Sequence, residues 1–182
     1  APALQFRIRP APPRAGRAGR AGTVRLWVAP GPDGRKHPDV KGPDLDWLGD
    51  RRQAAVTAGA DEAVLVSPGG HVLEGATTSI LWWRGDTLCA PAEDGRILPG
   101  TTRAILLDAA RSCGVRVIFE SAVPASLDGL ETWTVNALHG IRPVTAWVNA
   151  GVSAGPATRA PRWQAHLDGL AAEVGPYARV AR

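Results

Sequence analysis

The segment T-S-I-L-W-W-R-G-D-T-L-C, residues 78–89, most limits what this chain can fold into. Two short runs of apolar and β-branched residues flank R-G-D, the signature of a β-hairpin with strands at 78–83 and 87–89. Further short runs behave alike. Residues 4–8 (L-Q-F-R-I) and 23–29 (T-V-R-L-W-V-A) alternate with the two-residue period of a strand. Residues 62–66 form an apolar run, P-G-G turns the chain, and 71–73 return. Strands are also predicted at 115–119, 131–135 and 144–148. Helical composition is confined to 44–58, 101–113 and about 161–174, the first two followed by Gly59 and Gly114 as stops. The fold class is therefore mixed α/β with many hairpins, lacking both a regular βαβ alternation and an internal repeat.

Composition narrows the function. A chain of 182 residues with 45% hydrophobic content can bury the core of one domain. The net charge of +4 comes mostly from arginines scattered among acids, so it does not mark a nucleic-acid surface. The exception, R-P-A-P-P-R-A-G-R-A-G-R-A-G, reads as a mobile Pro/Gly loop. Cys89 and Cys113 are far apart and have neither disulfide nor zinc spacing. They suit a reducing cytosol, with no metal expected. No apolar run approaches the ~20 residues a membrane helix needs. With no methionine, the sequence does not begin at an initiator.

Lysine usage points to chemistry. Among 21 basic residues only Lys36 and Lys41 are lysines, both in R-K-H-P-D-V-K-G. Arginine stays protonated at any working pH, whereas a lysine can lose its proton and act as nucleophile or base. Two other segments can serve such a lysine. Glu74 in G-H-V-L-E-G-A-T-T-S follows a turn at the end of a strand. In I-L-P-G-T-T-R, Gly100, Thr101 and Thr102 open a helix, where backbone amides and the positive end of the dipole favour an anion. A threonine N-cap would explain that last segment equally well. Taken together, a lysine, a carboxylate and a phosphate cradle are what pyridoxal phosphate requires: an amine for the aldehyde, an acid for the ring nitrogen and a site for the phosphate.

The order of motifs resembles the fold-type IV pyridoxal-phosphate enzymes, the class IV aminotransferase family, over roughly residues 23–148. The family pattern is a lysine, a helix, G-x-D-E-A, D-G-x-V-x-E-G and L-x-G-[IVT]-T-R. Here stand Lys41, then Gly59-Ala60-Asp61-Glu62-Ala63, Gly69-Gly70-His71-Val72-Leu73-Glu74-Gly75 and Leu98-Pro99-Gly100-Thr101-Thr102-Arg103. The resemblance implies pyridoxal 5′-phosphate as cofactor, Lys41 as the Schiff-base lysine in preference to Lys36, and Glu74 as partner of the pyridine nitrogen. Leu98 would pack on the ring, Gly100, Thr101 and Thr102 would hold the phosphate, and Arg103 would brace them. Ser79 departs from the pattern, which usually has asparagine there.

The resemblance further implies the C-terminal pseudo-barrel of such an enzyme, with its small N-terminal domain largely missing. Residues 1–22 would be that domain's last strand and an interdomain loop, and 23–182 the cofactor-binding domain. The stretch T-V-N-A-L-H-G-I-R-P-V looks most like the aminodeoxychorismate lyase branch, with Asn136 and His139 as candidates to reach substrate or phosphate. His139 reads equally as a surface turn residue. The expected protein is a cytoplasmic homodimer acting on a small-molecule amine, releasing pyruvate and forming 4-aminobenzoate. The alternatives are a branched-chain or D-amino-acid aminotransferase, and a truncated, non-catalytic binding or dimerisation domain.

Overall fold

The structure, a computed structural model, describes residues 22–170. The strand expected at 4–8 and residues 171–174 of the last expected helix lie outside the described residues. Eight strands form one curled half-barrel sheet in the order β3-β2-β1-β8-β7-β4-β5-β6. They are β1 (Val24–Val28), β2 (Glu62–Val66), β3 (Val72–Gly75), β4 (Ser79–Arg84), β5 (Thr87–Ala90), β6 (Arg116–Phe119), β7 (Thr132–Asn136) and β8 (Gly140–Val148). The helices are α1 (Leu45–Thr57), α2 (Thr101–Ser112) and α3 (Ala160–Gly169).

The expected hairpin forms, with Trp82 opposite Cys89 and Arg84 opposite Thr87. Successive side chains of β4 enter different cores, as the pleat requires. Ile80 and Trp82 join Val24, Leu26, Val64, Leu127 and Val144. Leu81 and Trp83 join Leu88, Leu106, Leu107 and Trp133 beneath α2 and α3. A third, alanine-rich cluster of Ala55, Ala60, Ala63 and Ala76 seats α1. Strand β4 is thus covered on both faces, so its sequence is apolar throughout instead of alternating.

Helices α1 and α2 begin and end close to the sequence expectation, and α3 begins close to it. Gly59 follows α1 with a φ of 86°, the left-handed conformation that glycine tolerates at a helix end. The largest difference is at β8, expected from 144 but beginning at Gly140. Gly140 and Pro143 read as turn residues. Yet Gly140 pairs with Asn136 and Pro143 with Trp133 across the β7–β8 ladder. Pro143 falls just before Val144, where β1 joins the other side of β8, so its missing N–H is met before that ladder starts.

Candidate active site

A cleft of about 410 Å³ opens where the β1–α1 loop, the end of β3, the start of α2 and the end of β7 converge. Lys41, Glu74, Leu98, Gly100, Thr101, Thr102 and Asn136 all line it. Lys36 and His139 are not among its lining residues. The structure therefore gathers residues that lie almost a hundred positions apart in sequence, and of the two lysines it brings only Lys41 to the cleft.

Glu74 stands near the end of β3 and is 5% exposed. Its Oε1 accepts the Leu98 backbone N–H at 2.9 Å and the Arg35 Nη1 at 2.6 Å. Among the described residues its Oε2 accepts no hydrogen bond and remains free for a ligand. Burial pushes the Glu74 carboxyl above the ordinary range, against the opposing pull of the Leu98 amide and the Arg35 guanidinium.

Arg35 was not anticipated from the sequence. Its guanidinium is 4% exposed and reaches five acceptors. It binds Asp33 Oδ2 through Nη2 at 2.7 Å and Glu74 through Nη1, and also donates to the carbonyls of Pro38 at 3.3 Å and Arg96 at 3.2 Å. Burial works against its charge, but the Asp33 and Glu74 carboxylates outweigh that and raise its pKa. Arg35 is thereby held as a cation behind Glu74. The available signal was weak: an arginine two residues after an aspartate in a Gly/Pro turn, in a chain rich in arginine.

Gly100 is the N-cap of α2, and no side chain caps the helix, so neither threonine acts as the N-cap. Gly100 has φ −69°, which any residue can adopt. The glycine makes room instead: a Cβ there would lie 2.7 Å from Ser79 Oγ and would push that hydroxyl aside. Ser79, where the family usually has asparagine, therefore packs against the helix start. Arg103 is 1% exposed, bonds Glu93 and donates to the Pro91 carbonyl at 2.6 Å, with its guanidinium over the Phe119 ring. It ties α2 to the segment leading into the cleft.

Lys41 is exposed on the β1–α1 loop. That loop is shaped by Asp44, whose carboxylate accepts the backbone N–H groups of Lys36 at 3.1 Å and His37 at 2.8 Å. Asn136 uses both ends of its amide within the protein. Nδ2 donates to the Thr77 carbonyl at 3.3 Å and Oδ1 accepts the His139 N–H at 2.8 Å.

Residues 2–147 match the family described as amino-transferase class IV. The chain belongs to the class IV aminotransferase family. A curated aminodeoxychorismate lyase from Bacillus subtilis (strain 168) is 30% identical over 102 residues, 54% of this chain and 35% of that protein. A Legionella pneumophila structure, provisionally assigned as a 4-amino-4-deoxychorismate lyase, superposes with TM-score 0.73 at 21% identity. The match covers 81% of this chain and 56% of that one. The branched-chain aminotransferase of Thermobaculum terrenum, in its pyridoxal-phosphate form, gives 0.76 at 18% identity, covering 88% of this chain and 53% of that one. The class IV chain described here thus spans about a third of the lyase and about half of each structural relative. At these identities the two structures support the fold. Family members use pyridoxal 5′-phosphate and act on small-molecule amines. Among the described residues there is no group of side chains suited to a metal, and no helix long and apolar enough to cross a membrane.

Proposed function

We propose that the protein containing this chain is a pyridoxal-phosphate-dependent lyase that converts an aminodeoxychorismate-type substrate to 4-aminobenzoate and pyruvate. The carrying observation is the convergence of Lys41, Glu74 and the uncapped start of α2 on one cleft that also holds Asn136 and Ala137. The N-A-L segment and the Bacillus subtilis relative favour lyase over aminotransferase. A homodimer acting in the cytoplasm belongs to the same reading.

The residues fit this cofactor. Glu74 has one oxygen free of protein donors, the amides at the start of α2 have no side-chain cap, and Gly100 allows close approach. When bound, the cofactor supplies an electron sink for the bond broken in the substrate. Glu74 Oε2 would hold a proton at the ring nitrogen, with the Arg35 guanidinium and the Leu98 N–H on Oε1 favouring the carboxylate against the pull of burial. The amides of Thr101 and Thr102 would orient the phosphate at the positive helix end. Lys41 Nζ would bind the aldehyde. Displaced by the incoming amine, Lys41 would take up the proton lost from the substrate ring as pyruvate leaves.

The test uses full-length protein. Aminodeoxychorismate should give 4-aminobenzoate and pyruvate with no keto-acid acceptor. A requirement for an acceptor, with formation of a new amino acid, assigns the aminotransferase reaction instead. Borohydride reduction and peptide mapping should place the pyridoxyl group on Lys41. Its recovery on Lys36 overturns that role. Glu74→Gln should keep the cofactor but lose about one to two powers of ten in rate, as expected for a charge-assisted hydrogen bond acting in the transition state.

A further inference from the structure

Glu62 is a charged group that the proposed chemistry leaves unused, although it is 2% exposed. It opens β2, and both of its oxygens are engaged. Oε1 accepts the Ala63 backbone N–H at 3.0 Å. Oε2 accepts the Thr77 backbone N–H at 3.2 Å, the Thr77 hydroxyl and the Thr78 hydroxyl at 3.4 Å. All three Oε2 donors belong to the turn that leaves β3 and enters β4. From its other side the turn is held by Asn136 Nδ2 on the Thr77 carbonyl. Gly75 N–H closes the turn on the Thr78 carbonyl at 2.7 Å. A Cβ at Gly75 would lie 2.3 Å from Thr78 Oγ1 and 3.1 Å from Glu62 Cγ, so a larger residue there would displace the side chains that join this turn to Glu62.

The position of this turn gives the arrangement its meaning. At one end is Glu74. At the other is Ser79, whose Oγ abuts Gly100 at the start of α2. The turn joins Glu74 directly to Ser79, which packs against the phosphate end, while Glu74 Oε1 meets that same end through the Leu98 N–H. A ligand gripped at both ends, by its ring nitrogen and by its phosphate, requires those ends at one fixed separation. A ligand gripped at one end does not.

We infer that Glu62 is a positioning residue that sets the separation between the ring-nitrogen anchor at Glu74 and the phosphate anchor at Gly100–Thr102. It acts through Thr77 and Thr78 and touches no ligand. The inference rests on the cofactor reading above and adds a residue to it.

The readout is a ratio of affinities. Full-length wild-type protein, Glu62→Gln and Thr77→Val are titrated with pyridoxal phosphate and with pyridoxal, which lacks the phosphate. Glutamine keeps the shape of Glu62 but turns an NH₂ toward donors. Valine keeps the shape of Thr77 but lacks its hydroxyl. Both variants should weaken pyridoxal phosphate by roughly tenfold, the scale of one hydrogen bond to a carboxylate, and pyridoxal far less. Thr77→Ser, which restores the hydroxyl, should recover the wild-type ratio. A general loss of packing would lower both affinities alike and leave the ratio unchanged. Equal losses for the two ligands, or wild-type affinity in Thr77→Val, overturns the inference alone. A wild-type protein that binds neither ligand overturns the cofactor reading and this inference with it. Should Glu62→Gln fail to fold, the Thr77→Val and Thr77→Ser pair decides the matter.

Discussion

Glu74 shows how burial and partners set the behaviour of one side chain. Its single hydrogen-bonded oxygen is fixed by Leu98 and Arg35, and the other has no donor among the described residues. His139 offers a simpler titration. Burial, followed by the nearby charges of Arg142 and Arg52, lowers its pKa from the ordinary 6.5. Between the ordinary value and that lower one the unfolded chain binds a proton and the folded chain does not. Stability therefore falls as pH drops through this window and is fully present above it. Urea midpoints measured at about pH 7.5 and 5.5 should drop further for wild type than for His139→Gln. An equal drop in both would show that His139 keeps its unfolded pKa. At this scale the sequence singled out Lys41, Glu74 and Gly100, which line one cleft, because each is a chemically distinctive residue inside an ordered motif. Arg35 and Glu62 stayed hidden. Their roles come from the contacts they acquire when β1, β2 and β3 pair, and no local spacing relates Arg35 to Glu74 or Glu62 to Thr77.

Among the elements, α2 carries the tightest fit. Its N-cap residue, Gly100, meets Ser79 so closely that an added methyl group would lie 2.7 Å from Ser79 Oγ. Gly100→Ala in the full-length protein should weaken pyridoxal-phosphate binding roughly tenfold. Adding Ser79→Ala should restore most of it, a coupling of about 1 kcal/mol in a double-mutant cycle. Additive losses would mean that Gly100 serves the site in some way other than by making room for Ser79. Helix limits were legible because Gly59 and Gly114 stop α1 and α2 chemically. Strand limits were less so. The start of β8 follows from its pairing with β7, which overrides the turn character of Gly140 and Pro143. The parallel pairing of β1 with β8 joins segments from opposite ends of the described chain and leaves no local trace.

Across the whole molecule, closure of the C-terminal part depends on Glu131, which is 5% exposed. Its carboxylate accepts the N–H groups of Arg159 and Ala160, both at 2.9 Å, the Thr158 hydroxyl at 2.9 Å and the Trp133 indole N–H at 2.9 Å. It therefore supplies from β7's edge the cap that α3 lacks from its own N-cap residue. Glu131→Gln replaces one acceptor oxygen by a donor and should destabilise the fold by about 1–3 kcal/mol in urea unfolding. An unchanged midpoint would contradict the cap. The same docking brings Trp83, Trp133 and Trp163 together, with ring centroids 5.6–6.3 Å apart at steep mutual angles. Indoles this close and held in a fixed chiral array exchange electronic excitation. The protein thus has an intrinsic optical handedness in the ultraviolet, and one of its three chromophores travels with α3. Circular dichroism of the indole bands would report that helix leaving the sheet without any label.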